Sequence, residues 1–322
     1  MAQTSADGAQ ASREVLVRTM AWEADDVLSL TLAAPDGQDL PRWEPGAHID
    51  LLAPGGGAAQ YSLCGAVDAP TWRIAVLLRP DGRGVSRYIH QQLRPGQLAH
   101  VRGPRNHFRL LPAARYLFIA GGIGITPILP MVAAAQRAGI QWRLAYGGRS
   151  RGSMSFIADL ERQGPQVQLF PEDEVGRPPL QALLSGLEHD TLVYCCGPEP
   201  LIASVQSLAQ GLALAPPVVE RFAAAAAVRN DGEGGAFVVV LARSGLEYPV
   251  PADRSIAQVL LEHGVALSTS CLQGICGSCE TRVLAGAIDH RDALLTQAER
   301  ARQDTMMVCV SRAAGGRLTL DL

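Results

Sequence analysis

No apolar run in the 322 residues approaches the ~20 needed to cross a bilayer, which excludes a helical membrane span and any membrane partner that needs one. The opening stretch, "MAQTSADGAQASRE", lacks the hydrophobic core of a signal peptide. A disordered lead over residues 1–11 and a cytoplasmic location are therefore expected. Charge is scarce at 18% and nets to −3, with 28 scattered basic residues, so no basic stripe points to nucleic acid. The seven histidines show no metal-ligand spacing, and no Ser/His/Asp arrangement suggests hydrolysis. What remains is 48% hydrophobic, with 33 glycines and 21 prolines: a well-cored chain with many turns, long enough for two or three domains.

Of the seven cysteines, four are arranged. "STSCLQGICGSCETRVLAG" holds Cys271, Cys276 and Cys279 in a C-x4-C-x2-C array, and Cys309 stands alone in "MMVCVSR", with twenty-nine residues between it and Cys279. In a reducing cytosol such clustering points to metal or redox chemistry rather than to disulfides. Structural zinc sites favour two short Cys pairs, and only one is present. A Rieske centre needs two histidines in place of two cysteines, and no Cys-x-His or Cys-x-x-His occurs. The spacing is that of a plant-type [2Fe–2S] site, with a zinc knuckle or a buried-cysteine loop as the alternative. Gly274 and Gly277 suit a backbone folded tightly around inorganic sulfide. Around the cluster, "AFVVVLARSG" and "LEYPVP" read as a hairpin. "SIAQVLLEHG" reads as a helix capped by Ser255 and ended by Gly264, and "CETRVLAG" and "GGRLTLDL" as strands.

Upstream, "VVERFAAAAAVRNDGEGG" reads as a domain end and a linker. Before it, "ARYLFIAGGIGITPILPMVAAAQRAGIQWRLAYGGRSR" and "DTLVYCCGPEPLIASVQSLAQG" each read as strand, glycine turn and helix. That predicts a doubly wound α/β domain whose ligand lies off the strand ends at residues 121–126 and 196–199. Residues 12–108 show no helical period; six β-like segments separated by turn signals predict an antiparallel barrel.

The tail, with "CGSCETRVLAGAIDHRDALLT" and "MVCVSRA", resembles the plant-type ferredoxin domain, a β-grasp fold. Together with "YSLCG", "AGGIGITP" and "CGPEPL" in that order, the chain after about residue 12 resembles the phthalate dioxygenase reductase family, which includes the vanillate demethylase reductases. The resemblance implies a multidomain protein. It would have a flavin-binding antiparallel β-barrel (12–109), a Rossmann-like α/β NAD domain (110–222), a linker (223–234) and an α+β β-grasp ferredoxin domain (235–322). It implies FMN, NADH and a [2Fe–2S] cluster held by the four cysteines, a monomer, and a separate Rieske oxygenase or demethylase as partner. For FMN it implies Tyr61, Ser62 and Leu63 at the ring, and backbone groups of Ala75, Val76 and Leu77 beside it. Gly82, Arg83, Gly84, Val85 and Ser86 would stand at the phosphate, and Phe222 over the ring face. For NAD it implies Gly121, Gly122, Gly124 and Thr126 at the diphosphate, and Arg149, Ser150 and Asp173 near the adenosine ribose. Cys196, Gly197 and Pro198 would lie near the nicotinamide. Two departures stand out: Ala59 where the family places a phosphate-binding arginine, and Val85 in place of a glycine.

The implied order of electron flow is NADH, FMN, cluster, oxygenase. NADH delivers two electrons as hydride and the cluster takes one, so a flavin must stand between them; no side chain need act as acid or base. The alternatives are an FAD-containing reductase of a diiron monooxygenase, or a redox-sensing module that signals by docking.

Overall fold

The structure, a computed structural model, describes residues 12–55, 57–222 and 235–322. The expected lead (1–11) and linker (223–234) lie outside the described residues. The chain divides into two compact units, one spanning Ser12–Phe222 and one whose described part is residues 235–322.

The first unit opens with six strands: β1 (Arg13–Ala24), β2 (Val27–Ala33), β3 (Ala47–Leu52), β4 (Ala58–Ser62), β5 (Trp72–Leu77) and β6 (Leu98–Asn106). They match the six expected segments and pair in the order β4-β3-β6-β1-β2-β5. A bridge between Leu63 and Ile74 joins the two ends into a barrel. Alternation along each strand sends Val15, Val17, Leu30, Leu32, Ile49, Leu51, Trp72 and Ile74 inward, where they are almost fully buried. One helix, α1 (Val85–Gln91), interrupts the segment read as free of helix. Its seven residues are two turns, too few to show a period, and it forms because Val85 and Ile89 pack into the barrel core.

An α/β part follows: β7 (Arg115–Gly121), α2 (Ile125–Arg137), β8 (Gln141–Gly148), α3 (Ile157–Glu161), β9 (Val167–Pro171), α4 (Glu172–Val175), α5 (Leu180–Ser185), β10 (Thr191–Cys196), α6 (Glu199–Gly211) and β11 (Val218–Glu220). The sheet is parallel, in the order β11-β10-β7-β8-β9. Chain order reverses between β7 and β10, whose C-terminal ends are Gly121 and Cys196, the crevice where such sheets bind ligands. From Tyr116 on, β7 is apolar because both its faces are covered. Phe118 and Ala120 join one core, Leu117 and Ile119 the other.

Barrel and sheet share a core. Ala24, Val27, Cys64, Ala75 and Phe108 of the barrel belong to the same apolar cluster as Phe118, Ile128 and Trp142 of the α/β part. The connection at 109–111 is pinned by the Tyr194 hydroxyl, which accepts the Leu111 N–H at 2.7 Å and donates to the Arg109 carbonyl at 2.8 Å. The expected boundary at 109/110 is thus a joint inside one compact unit.

The second unit contains β12 (Phe237–Leu241), β13 (Glu247–Val250), α7 (Ile256–Glu262), β14 (Glu280–Ala285), β15 (Ile288–Asp289), α8 (Gln297–Arg302), β16 (Thr305–Met307), β17 (Arg312–Ala313) and β18 (Arg317–Leu320). Its main sheet runs β13-β12-β18-β14-β16, with first and last long strands parallel and adjacent, the β-grasp arrangement. β12 and β13 form the expected hairpin. Ser255 caps α7 by accepting the Gln258 N–H at 3.1 Å, and Gly264 follows the helix at φ +73°.

Candidate functional site

The flavin residues divide by strand alternation. Ser62 pairs with His48 across β3–β4, and its side chain turns away from the barrel interior that Leu63 enters. Leu63 and Val76 are fully buried in the barrel core, so only their backbones are available to a ring. Ala75 and Leu77 face the core shared with the α/β part. β5 is the last strand of its sheet, so its outer edge has backbone groups available beyond the bridge at Ile74. Val85 is core as well, and what it can give a phosphate is its N–H.

The 79–87 loop is built around side-chain staples. Ser86 Oγ accepts the Arg79 N–H at 3.1 Å, and Arg87 donates to the Pro80 carbonyl, so both are committed within the loop. Gly84 sits at φ +93°, a conformation that favours glycine at the turn into α1. Arg83 lies near Tyr61: burial pushes the Tyr61 phenol up, and the Arg83 charge pulls it back down. Ala59 lies on the Tyr61 face of β4, two residues along, so Arg83 supplies positive charge on the face where the family arginine is missing.

The nucleotide loops meet glycine to glycine. A Cβ on Gly124 would stand 2.3 Å from the Cys196 carbonyl oxygen, and one on Gly197 would stand 3.0 Å from the Gly121 Cα. The residue types at 121, 124 and 197 are therefore set by close packing of the two loops. Thr126, buried, donates its hydroxyl to the Ile123 carbonyl at 3.0 Å and fixes the turn. Gly122, at φ +54° with open space beyond its Cα, lies at the mouth of this turn. The N-terminus of the thirteen-residue α2 follows immediately, a site suited to a diphosphate. Ser150 is held in a reciprocal cap with Ser153, Arg149 is exposed, and Asp173 donates its N–H to the Arg149 carbonyl at 3.3 Å.

One functional candidate was missed in the sequence. β11 pairs with β10 in the register Cys196↔Glu220, which sets the Glu220 carboxyl 4.0 Å from Cys196 Sγ. Ser62 lies near the same carboxyl. Burial pushes Glu220 up to about 8, against the downward pull of Ser62. Burial also drives the Cys196 thiol well above its usual range, and the Glu220 charge adds to the rise. Thus one residue from β4, one from the end of β10 and one from β11 come together. Phe222 stands two residues further on and is 42% exposed, an available aromatic face. Arg221 between them forks onto Glu199 at 2.8 and 3.3 Å, fastening this segment to the start of α6.

All four motif cysteines of the second unit are buried, at 1–4% exposure. Gly274, at φ +68°, lies so close to its surroundings that a Cβ would meet Val310 Cγ2 at 2.5 Å. Its carbonyl accepts the Ala293 N–H at 2.9 Å. Backbone N–H groups point at sulfur: Gln273 to Cys271 at 3.2 Å and Ser278 to Cys276 at 3.5 Å. Cys271 lies near both Cys276 and Cys309, and Cys309 near Cys279, so that each raises or lowers its neighbour's titration. Among the described residues no three His, Cys, Asp or Glu side chains converge on a single metal ion. Four buried cysteines in a C-x4-C-x2-C array with one distant partner fit a [2Fe–2S] site better than a zinc site built on two short pairs.

Among the described residues no helix is long and apolar enough to cross a membrane. A family profile described as "2Fe-2S iron-sulfur cluster binding domain" matches residues 239–314. The phenoxybenzoate dioxygenase subunit beta of Ectopseudomonas oleovorans is 41% identical, over 99% of this chain and 100% of that one. The solved structure of phthalate dioxygenase reductase matches with a TM-score of 0.71 and 33% identity, over 97% of this chain and 98% of that chain. An intact type IV self-sufficient cytochrome P450 monooxygenase matches with a TM-score of 0.88 and 43% identity. There the alignment covers 97% of this chain but only 41% of that longer one. End-to-end likeness of this kind, on a barrel, a nucleotide sheet and a cluster domain in the expected order, shows that the chain belongs to the phthalate dioxygenase reductase family of flavin- and [2Fe–2S]-dependent oxidoreductases.

Proposed function

We propose that this chain is the soluble, monomeric reductase component of a Rieske-type oxygenase or demethylase acting on an aromatic substrate, drawing electrons from NADH. The observation that carries the reading is the convergence of Ser62, Cys196 and Glu220, which joins the flavin strand to the nicotinamide loop at one point. FMN, if bound, would supply the conversion between two-electron and one-electron transfer, chemistry that no side chain supplies.

The chain binds, orients and shields. The outer edge of β5 and Ser62 would hold the ring, and Arg83 with the N–H groups of the 82–86 loop the phosphate. Residues 121–126 and the start of α2 would seat the diphosphate. Cys196 and Glu220 close the far side of the crevice. Near neutral pH Glu220 keeps its proton on the carboxyl and presents Ser62 with a neutral partner rather than a second anion beside the electron-rich ring. Cys271, Cys276, Cys279 and Cys309 would hold the cluster, with Gln273 and Ser278 donating to sulfur.

The test is reduction of a purified Rieske oxygenase by NADH through this protein, with the extracted flavin identified by chromatography. Rapid NADH oxidation that reduces no oxygenase overturns the reading, and FAD in the extract overturns the flavin assignment. The 43% identity to part of a self-sufficient P450 favours a haem monooxygenase as the second acceptor to try in the same assay.

A further inference from the structure

We propose that Glu161 and Glu174, by holding Arg151 between them, make this reductase prefer a dinucleotide with a free 2′-hydroxyl over one bearing a 2′-phosphate. The inference rests on the nucleotide site proposed above.

β8 is the second strand of the doubly wound sheet, and the loop after it is where such folds meet the adenosine ribose. The loop after β9 lies beside it: Gly148 pairs with Pro171, and the Asp173 N–H reaches the Arg149 carbonyl at 3.3 Å. An arginine in the β8 loop would ordinarily suit a 2′-phosphate. Here Arg151 is tied off. Its NH1 donates to Glu161 at 2.9 Å and its Nε to Glu174 at 3.2 Å, carboxylates carried by α3 and α4. One nitrogen on each guanidinium edge that would fork onto a phosphate is already engaged by a carboxylate. A phosphate dianion entering here must displace two carboxylates and then lie next to them, whereas a 2′-hydroxyl need only accept or donate one hydrogen bond.

The experiment compares kcat/KM for NADPH and for NADH in the intact holoprotein, for wild type, Glu161→Gln/Glu174→Gln, and that double variant combined with Arg151→Ala or with Arg149→Ala. The double variant is expected to raise NADPH kcat/KM roughly ten-fold or more, the worth of one charge-assisted contact to phosphate, with NADH changed little. Adding Arg151→Ala should erase the gain, and adding Arg149→Ala should not. A double variant with unchanged NADPH:NADH ratio overturns the proposal, as does a gain that survives Arg151→Ala or vanishes only with Arg149→Ala. Flavin and cluster absorbance confirm folding; if the double variant loses them, Glu174→Gln alone carries the same comparison with a smaller expected gain. A Gly124→Ala control separates the two levels: if it leaves NADH kcat/KM intact, the nucleotide site itself is misplaced and this inference falls with it.

Discussion

Gly124→Ala is the sharpest test of the nucleotide crevice, because its consequence can be worked from distances. The added methyl carbon would lie 2.3 Å from the Cys196 carbonyl oxygen, 2.6 Å from its carbon and 2.8 Å from the Gly197 nitrogen. All three are backbone atoms, so no side chain can swing aside. Ordinary contact begins near 3.4 Å, and the two loops must therefore part by about 1 Å. Overpacking of this kind costs about 1–3 kcal/mol, or a fall in Tm of roughly 2–12 °C for a unit of this size. The functional cost is larger, since a misplacement of about 1 Å between reacting groups can cost on the order of 10²-fold in rate. Stopped-flow bleaching of the flavin by NADH should slow by at least about ten-fold. The cluster, in the other unit, should load normally and still be reduced by dithionite. Gly211→Ala, at the end of α6 with no neighbour within 4 Å, is the control and should be close to neutral. Full-rate flavin reduction at an unchanged Tm in Gly124→Ala would refute the claim that these two loops form the nucleotide site.

Cys276→Ser should remove the cluster while sparing NADH-to-flavin transfer; iron and sulfide analysis decides, and zinc in the wild type would overturn the [2Fe–2S] assignment. Glu220→Gln should become progressively more stable than wild type as pH rises. A carboxyl raised from 4.5 to about 8 contributes stability that is present below 4.5 and lost as pH passes through about 8. A Tm difference that stays flat from pH 5 to 9 would show that Glu220 is not enclosed. Ala59→Arg should tighten FMN by roughly 10- to 100-fold, the worth of one charged contact to phosphate, unless Arg83 already supplies it fully. Equilibrium dialysis of FMN against both forms reads the outcome, and equal affinities would mean that Ala59 is away from the phosphate or that Arg83 has replaced the arginine.

The features legible in the sequence were those fixed by local chemistry. β6 alternates because one of its faces is buried, and β7 is apolar from Tyr116 on because both of its faces are. Ser255 and Gly264 mark the ends of α7 through their own hydrogen bonding and backbone freedom. The cysteine spacing reads directly because four thiolates on one loop and one distant strand end admit few metals. What stayed hidden depends on partners distant in the chain. α1 is helical only because Val85 and Ile89 find the barrel core. The engagement of Ser86 by the Arg79 N–H is likewise visible only once the loop has closed. Glu220 carries no motif of its own beyond an acidic residue before an arginine and a phenylalanine. Its chemistry arises when β11 pairs with β10 and brings the carboxyl to Ser62, some 158 residues earlier in the chain. Burial then does to the carboxyl what no neighbour in sequence could: it keeps a proton near neutral pH at the point where flavin strand and nicotinamide loop meet. The four cysteines proposed as cluster ligands can therefore be picked out by spacing, whereas the meeting of Ser62, Cys196 and Glu220 can be seen only in the fold.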